Sequence, residues 1–354
     1  MKMEERIVEQ LGLRGDGKIR SLDVHADNLA EATHKAIIAC HDKGFRVETP
    51  KQQPGMTLGY DADIKIAVEN PDAEPKIYTF GMTEDGRGLM QYILEVTHGI
   101  HNHWKKDKEN PNRWGYTYNE RFTDQIPFVL QRIKQDWDKR KRISGRDYQF
   151  AIWRAGEDII PEQEDPPCFQ LGQFRFVDDS KGNLIMNYQT EWRSRDLLKA
   201  WNENNIAQIE LMKLFAKKIS SVIEEPIGLG VYIDRSSSLH LYGLYVDRDG
   251  LEEKIVQMKK NPYTENSMTL GDYLTLPPDM DSIPWQGTIE AQKRLIAAQS
   301  DYEAKTSSLN ASRKTLIDNG YDLDNFQYPK EWDTWPKAWN ASPDRNKLAR
   351  VFNI

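Results

Sequence analysis

The chain has two cysteines in 354 residues, Cys40 and Cys168. So few exclude a disulfide framework and fit a reducing compartment, with the cytoplasm as the expectation. The sequons at Asn310 and Asn340 then read as chance matches. No stretch approaches the roughly 18 consecutive apolar residues of a membrane-spanning helix, so no membrane partner is expected. The opening MKMEERIVEQLGLRGDGK is charged throughout and holds no apolar run of signal-peptide length. There is no internal repeat and no low-complexity segment. A formal net charge of -7 argues against a general nucleic-acid coat and leaves only a local basic patch for that role.

What is present suffices for a sizeable core: 38% of residues are hydrophobic and 29% charged. Residues 1–26 read as a polar leader, 27–261 as one catalytic domain, and 262–354 as an extension packed on it. Within the domain, 27–45 predicts a helix capped by Asp27 or Asn28 and ended by Gly44. Alternation over 58–80 predicts short strands, and a helix follows at about 87–98. Residues 101–120 read as a loop. A helix over 123–137 takes Thr123 or Asp124 as its cap. Residues 147–154 predict a strand, and Asp178–Asn183 the loop of a hairpin. The spacing of Leu197, Leu198, Trp201, Ile206, Ile209, Met212, Phe215 and Ile219 predicts the longest core helix. GLGVYIDRSSSLHLYGLYV reads as two strands. Beyond 262 the texture is loop-rich, then helical over 287–318, with Trp332, Trp335 and Trp339 among prolines. The pattern is α+β with one main sheet.

The densest chemistry lies between Pro166 and Asp196. A cysteine follows two prolines, paired strands follow it, and Arg193-Ser194-Arg195-Asp196 closes the segment. A thiol nucleophile and an anion clamp on paired strands suit covalent chemistry on a phosphorylated substrate. Arg193 is the cation that would favour the thiolate.

Several fragments resemble the thymidylate synthase family in order and spacing. They are Asp124-Gln125-Ile126, Ser144-Gly145-Arg146, the strand ending at Trp153, Pro167-Cys168, Gln173-Phe174, Arg193-Ser194-x-Asp196, Asn205-Ile206-Ala207 and His240-Leu241-Tyr242. The resemblance implies a three-layer α+β domain around a twisted mixed sheet, paired as a homodimer through sheet faces. It implies one-carbon transfer from 5,10-methylenetetrahydrofolate to C5 of a pyrimidine nucleoside monophosphate, with no nucleic acid required. Pyrimidine C5 is a poor nucleophile; a thiolate adding at C6 gives it carbanion character. Cys168 matches that thiolate. Its ordinary alternative is a buried inert cysteine.

Arg193 and Ser194 match the family's phosphate pair, and Arg146 an arginine given across the dimer. Asp147 follows where a second arginine is common. Lys51, in Glu48-Thr49-Pro50-Lys51, is a substitute for an N-terminal phosphate-binding arginine. Gln173 falls in a matching Gln-Phe pair. Asp196 matches the aspartate that holds pyrimidine and pterin. Asn205, or Asn204 if the alignment slips by one, matches the reader of the base edge, and an amide there leans towards uracil. His240 and Tyr242 match a pair that bonds the sugar. Tyr118 matches an active-site loop tyrosine. Glu95 stands in for a proton-organising glutamate, one helical turn from the expected place, which Tyr92 occupies. His98, His101 and His103 lack the partners of a metal site.

Some family features are absent. Lys199-Ala200-Trp201-Asn202-Glu203-Asn204 replaces the usual run after the aspartate. The loop bearing the wall tryptophan is short, leaving Trp104 or Trp114. These departures favour a 5-hydroxymethylase, in which water reaches the transferred carbon, as in phages with modified pyrimidines or nucleoside-antibiotic pathways. A divergent thymidylate synthase, or a nucleotide- or RNA-binding relative without catalysis, are the alternatives. A generic thiol hydrolase would need a histidine base that is not near Cys168 in sequence.

Overall fold

Alternation along four long strands builds the centre of the molecule. A computed structural model describes residues 16–48, 56–84, 86–99, 101–102, 115–161, 163 and 165–275. In chain order the elements are β1 (Ser21–Ala26), α1 (Leu29–Lys43), β2 (Phe45–Val47), β3 (Gly59–Val68), β4 (Ile77–Tyr78), α2 (Gly86–His98), α3 (Tyr118–Thr123), α4 (Ile126–Arg140), β5 (Gln149–Ala151) and α5 (Ala155–Asp158). Then come β6 (Phe169–Asp178), β7 (Leu184–Trp192), β8 (Arg195–Asp196), α6 (Trp201–Ile223), β9 (Ile227–Leu241), α7 (Gly243–Arg248), α8 (Leu251–Lys260), a 3₁₀ turn (Tyr263–Asn266), β10 (Ser267–Met268) and α9 (Leu270–Thr275).

One mixed sheet runs β1-β3-β9-β7-β6-β5, with β2 added to β3 and β8 to β9. β1/β3, β7/β9 and β8/β9 are parallel; the other pairs in this sheet are antiparallel. The architecture is the α+β, mixed-sheet class that the sequence predicts. One sheet face buries Ile64, Ile66, Tyr188, Thr190, Trp192, Tyr232 and Phe174. The other carries polar residues such as Asp63, Lys65, Glu191 and Arg235, with Arg235 paired to Asp63 at 2.9 Å. α6 lies on the buried face. Its Ile206, Ile209, Met212, Phe215, Ile219 and Ile223 recur every three to four residues, and Gln208 meets Tyr188 across to β7 at 2.8 Å.

Several boundaries differ from the sequence reading. Ser21–Ala26 is not leader but a strand, because Leu22, Val24 and Ala26 alternate inward beside β3. Asn28, not Asp27, caps α1 by accepting from the Glu31 N–H. The helix expected from Thr123 is two: α3 starts at Tyr118 under a Thr117 cap, and α4 starts at Ile126 with Pro127 in its first turn and no side-chain cap. The stretch read as two strands is one 15-residue strand, β9, followed by helix α7. β9 runs on through its serines, where Ser237 and Ser238 together oppose the single Asp63 of β3 as a bulge in β9 itself. After residue 262, β10 pairs with β4, and Tyr273 and Leu274 are buried. The helix expected over 287–318 and the three late tryptophans lie outside the described residues.

Candidate active site

Cys168 sits at the start of β6, half-buried, where the Pro166-Pro167 turn delivers the chain into the sheet. The end of β7 lies against it. The Arg193 N–H donates to the Cys168 carbonyl at 2.9 Å. The Arg193 guanidinium donates to the carbonyls of Pro167 (3.1 Å) and Pro166 (2.6 Å). That clamp uses two of its five N–H donors and leaves three for an anion. Ser194 follows, half-buried.

Phe169, the residue after Cys168, belongs to an aromatic cluster. Phe169 stacks on Trp192 with centroids 4.7 Å apart, and Tyr118 meets both edge-on at 5.6 and 5.7 Å. Burial raises the phenol pKa values of Tyr92, Tyr116, Tyr118 and Tyr242, and a charge on Cys168 adds to the rise in all four. Tyr92 of α2, Tyr116 and Tyr118 around the start of α3, and Tyr242 just after β9 thus all lie within electrostatic reach of Cys168.

The third side is a row across the sheet. Asp196 of β8 pairs with His240 of β9, and His240 pairs in turn with Asp61 of β3. Asp196 accepts from the N–H groups of Leu198 (2.9 Å) and Lys199 (3.0 Å), and from the Tyr245 hydroxyl. One of its roughly four lone-pair sites stays open. Burial lowers the pKa of His240, against the opposing charge of Asp196. Tyr242 meets the His240 ring edge-on at 4.6 Å.

The two asparagines have different surroundings. Asn205 is fully buried. Its carbonyl accepts from Tyr232 (2.6 Å) and Arg195 (3.3 Å), and its amide donates to the Trp201 carbonyl (2.8 Å). Asn204 is partly buried and donates to the Tyr92 hydroxyl at 2.9 Å. Asn205 therefore belongs to the core, and Asn204 is the amide beside the tyrosine cluster. One residue on a helix turns a side chain by about 100°, which is why a one-residue slip matters.

Arg195 went unread in the sequence, hidden between two residues with site roles. It is buried, bonded to Asp234, to Ser236 (3.0 Å) and to Asn205, and stacked 3.9 Å over Trp192. Trp201 and Thr190 also donate to Asp234, at 2.9 and 2.8 Å. A charge flanked by tryptophans was the available signal. Glu203 was passed over too. Buried at the start of α6, it accepts from the N–H groups of Thr83 (2.7 Å) and Glu84 (3.1 Å), and burial lifts its pKa to about 7.

Glu95 is buried and accepts from His101 at 3.0 Å. His98 is buried beside Thr97, and burial drops its pKa to about 4. No group of three metal-binding side chains occurs among the described residues. Gln173 and Arg146 are not brought to Cys168. Five residues of strand separate Gln173 from it, roughly 16 Å. Gln173 donates instead to the carbonyl of Arg146 at 2.7 Å, and the Arg146 side chain is exposed. Lys51, His103, Trp104 and Trp114 lie outside the described residues.

No protein-family model matches the chain, and no curated protein matches it in sequence. Among solved structures, thermostable thymidylate synthase A from Bacillus subtilis is similar at 15% identity and a TM-score of 0.44, over 66% of this chain and 84% of that one.

Proposed function

We propose that this chain is an enzyme that transfers a one-carbon unit to C5 of a pyrimidine nucleoside monophosphate through a Cys168 thiolate adduct. The observation that carries the reading is the convergence of Cys168, Asp196, His240, Tyr242 and the Asn204–Tyr92 pair on one site. A half-buried thiol beside an aromatic cluster suits addition to a flat heterocycle.

In the proposed reaction the Cys168 thiolate bonds to C6, and the C5–C6 electron pair moves toward C4 and its oxygen. C5 then forms the new carbon–carbon bond and loses its proton. The C–N bond that carried the carbon breaks with its electron pair leaving on nitrogen, and water adds to the resulting exocyclic methylene. Expulsion of Cys168 restores the C5–C6 double bond at the end. Asn204 pairs with the base edge through its amide, Arg193 and Ser194 take the phosphate, and His240 with Tyr242 holds the sugar. Tyr118 and Tyr116 wall the ring. 5,10-Methylenetetrahydrofolate, when bound, supplies the carbon. The open lone pair of Asp196 and the partly buried ring of Tyr242 fit its pterin.

The 5-hydroxymethyl nucleotide is the preferred product, with dUMP slightly favoured over dCMP or CMP. The replaced run Lys199–Asn204 alters the wall that would keep water from the transferred carbon. A divergent thymidylate synthase is the second reading. Arg146 is proposed to act across a homodimer, consistent with its exposed side chain.

Mass spectrometry of the product from methylenetetrahydrofolate with dUMP, dCMP or CMP tests the assignment. A mass gain of one hydroxymethyl group supports the hydroxymethylase. A methyl gain with dihydrofolate moves the chain to the synthases. No product from any of the three nucleotides favours a binding relative.

A further inference from the structure

The row Asp61–His240–Asp196 holds a residue that the proposed chemistry does not use. Asp61 faces His240 across the β3–β9 pair. Between them, the Ser238 hydroxyl lies 2.7 Å from Asp61 Oδ2 and 3.3 Å from His240 Nδ1. Two buried atoms of this group have no hydrogen-bond partner, Asp61 Oδ1 and His240 Nε2. His240 itself is 7% exposed.

The donors and acceptors allow one arrangement when Asp61 is ionised. A carboxylate only accepts, so the single Ser238 proton goes to Asp61. The Ser238 hydroxyl oxygen is then free to accept from the ring, as the Ser238 backbone carbonyl also does, so Nδ1 carries the imidazole proton. Burial keeps the ring neutral near neutral pH, with the Asp196 charge acting against that. Nε2 is left as a bare lone pair, and a buried lone pair without a donor calls for one. The donor that fits is a hydroxyl.

We infer that Asp61, acting through Ser238, is a positioning residue that holds His240 as the Nδ1–H tautomer, so that Nε2 accepts a hydrogen bond from a sugar hydroxyl of the ligand. The sugar assignment rests on the nucleotide reading above; the control of the tautomer does not. Were the relay reversed, Nε2 would carry the proton and meet that hydroxyl as a donor.

Two measurements separate these parts. In the full-length protein without ligand, multiple-bond ¹⁵N–¹H spectra report each histidine tautomer, with His240 assigned by its loss in His240→Asn. The Nδ1–H form is expected in the parent and its loss in both Asp61→Asn and Ser238→Ala. An Nε2–H form in the parent, or a tautomer that neither variant disturbs, overturns the inference. The second measurement is calorimetric binding of dUMP against its 2′,3′-dideoxy analogue. The parent should prefer dUMP by about tenfold, the equivalent of one hydrogen bond at about 1.4 kcal/mol per decade. Asp61→Asn and Ser238→Ala should reduce the preference to about twofold or less. A preference that survives both variants overturns the sugar contact. Binding of neither nucleotide, with the tautomer still switching, overturns the nucleotide reading and leaves the control of His240 by Asp61 supported.

Discussion

Asn204 donates to the Tyr92 hydroxyl at 2.9 Å, while its neighbour Asn205 turns into the core and spends its amide on Tyr232, Arg195 and Trp201. Substitutions at the two positions should therefore fail differently. Asn205→Ala leaves buried partners unpaired and should cost about 1–3 kcal/mol of stability, read as a lower urea midpoint. Asn204→Ala should leave the midpoint nearly unchanged and, under the proposed function, weaken nucleotide binding. The reverse outcome would return the base-reading role to Asn205.

Cys168 is half-buried, whereas Cys40 is fully buried. Cys168→Ser should fold normally and lose turnover by roughly 10⁴-fold or more, as expected when a nucleophile is removed. Single-turnover product formation measures this. A variant retaining more than a few per cent of activity would exclude the thiolate mechanism.

The Arg195–Asp234 pair is fully buried under the site. Removing one partner strands the other charge. Asp234→Asn should destabilise the fold by about 3–5 kcal/mol. The apolar double variant Arg195→Met/Asp234→Leu should lose less than either single change. Denaturant unfolding of the three proteins makes the comparison.

Two buried groups give the stability opposite pH slopes. Burial raises Glu203 from 4.5 to about 7, so the native state binds the extra proton. Its contribution is full below about pH 4.5 and is lost as pH rises toward 7. Burial lowers His98 from 6.5 to about 4, so the unfolded state binds the extra proton. Its contribution is present above about pH 6.5 and is lost as pH falls toward 4. The slopes oppose each other over a shared window. Glu203→Gln should expose the acid-side loss, and His98→Phe the loss on raising pH. Thermal midpoints between pH 4.5 and 7 test both signs.

Much of the fold was legible. The helical period gave α1, α2 and α6, and alternation gave β3, β6 and β7, because each element buries a single face of its own. β1 was missed as a short edge strand in a polar stretch, although Leu22, Val24 and Ala26 carry the alternation. β9 was divided in two because polar serines read as a break. The bulge lies in that serine run, with Ser237 and Ser238 opposite the single Asp63, and only the pairing with β3 shows that the strand resumes in register beyond it.

The sequence by itself determined the chemical types available: a thiol after two prolines, an Arg-Ser-Arg-Asp segment, a His-x-Tyr strand end and a pair of asparagines at a helix start. Those are local patterns, set by residue identity and spacing. Only the tertiary structure decided which of them meet. It turned Asn204 rather than Asn205 to Tyr92, sank Arg195 onto Asp234, kept Gln173 far along β6, and set Asp61 opposite His240 from a strand some 180 residues earlier. Strand register and helix rotation make those choices. Both depend on contacts between segments distant in the chain, where a shift of one residue moves a side chain to another face.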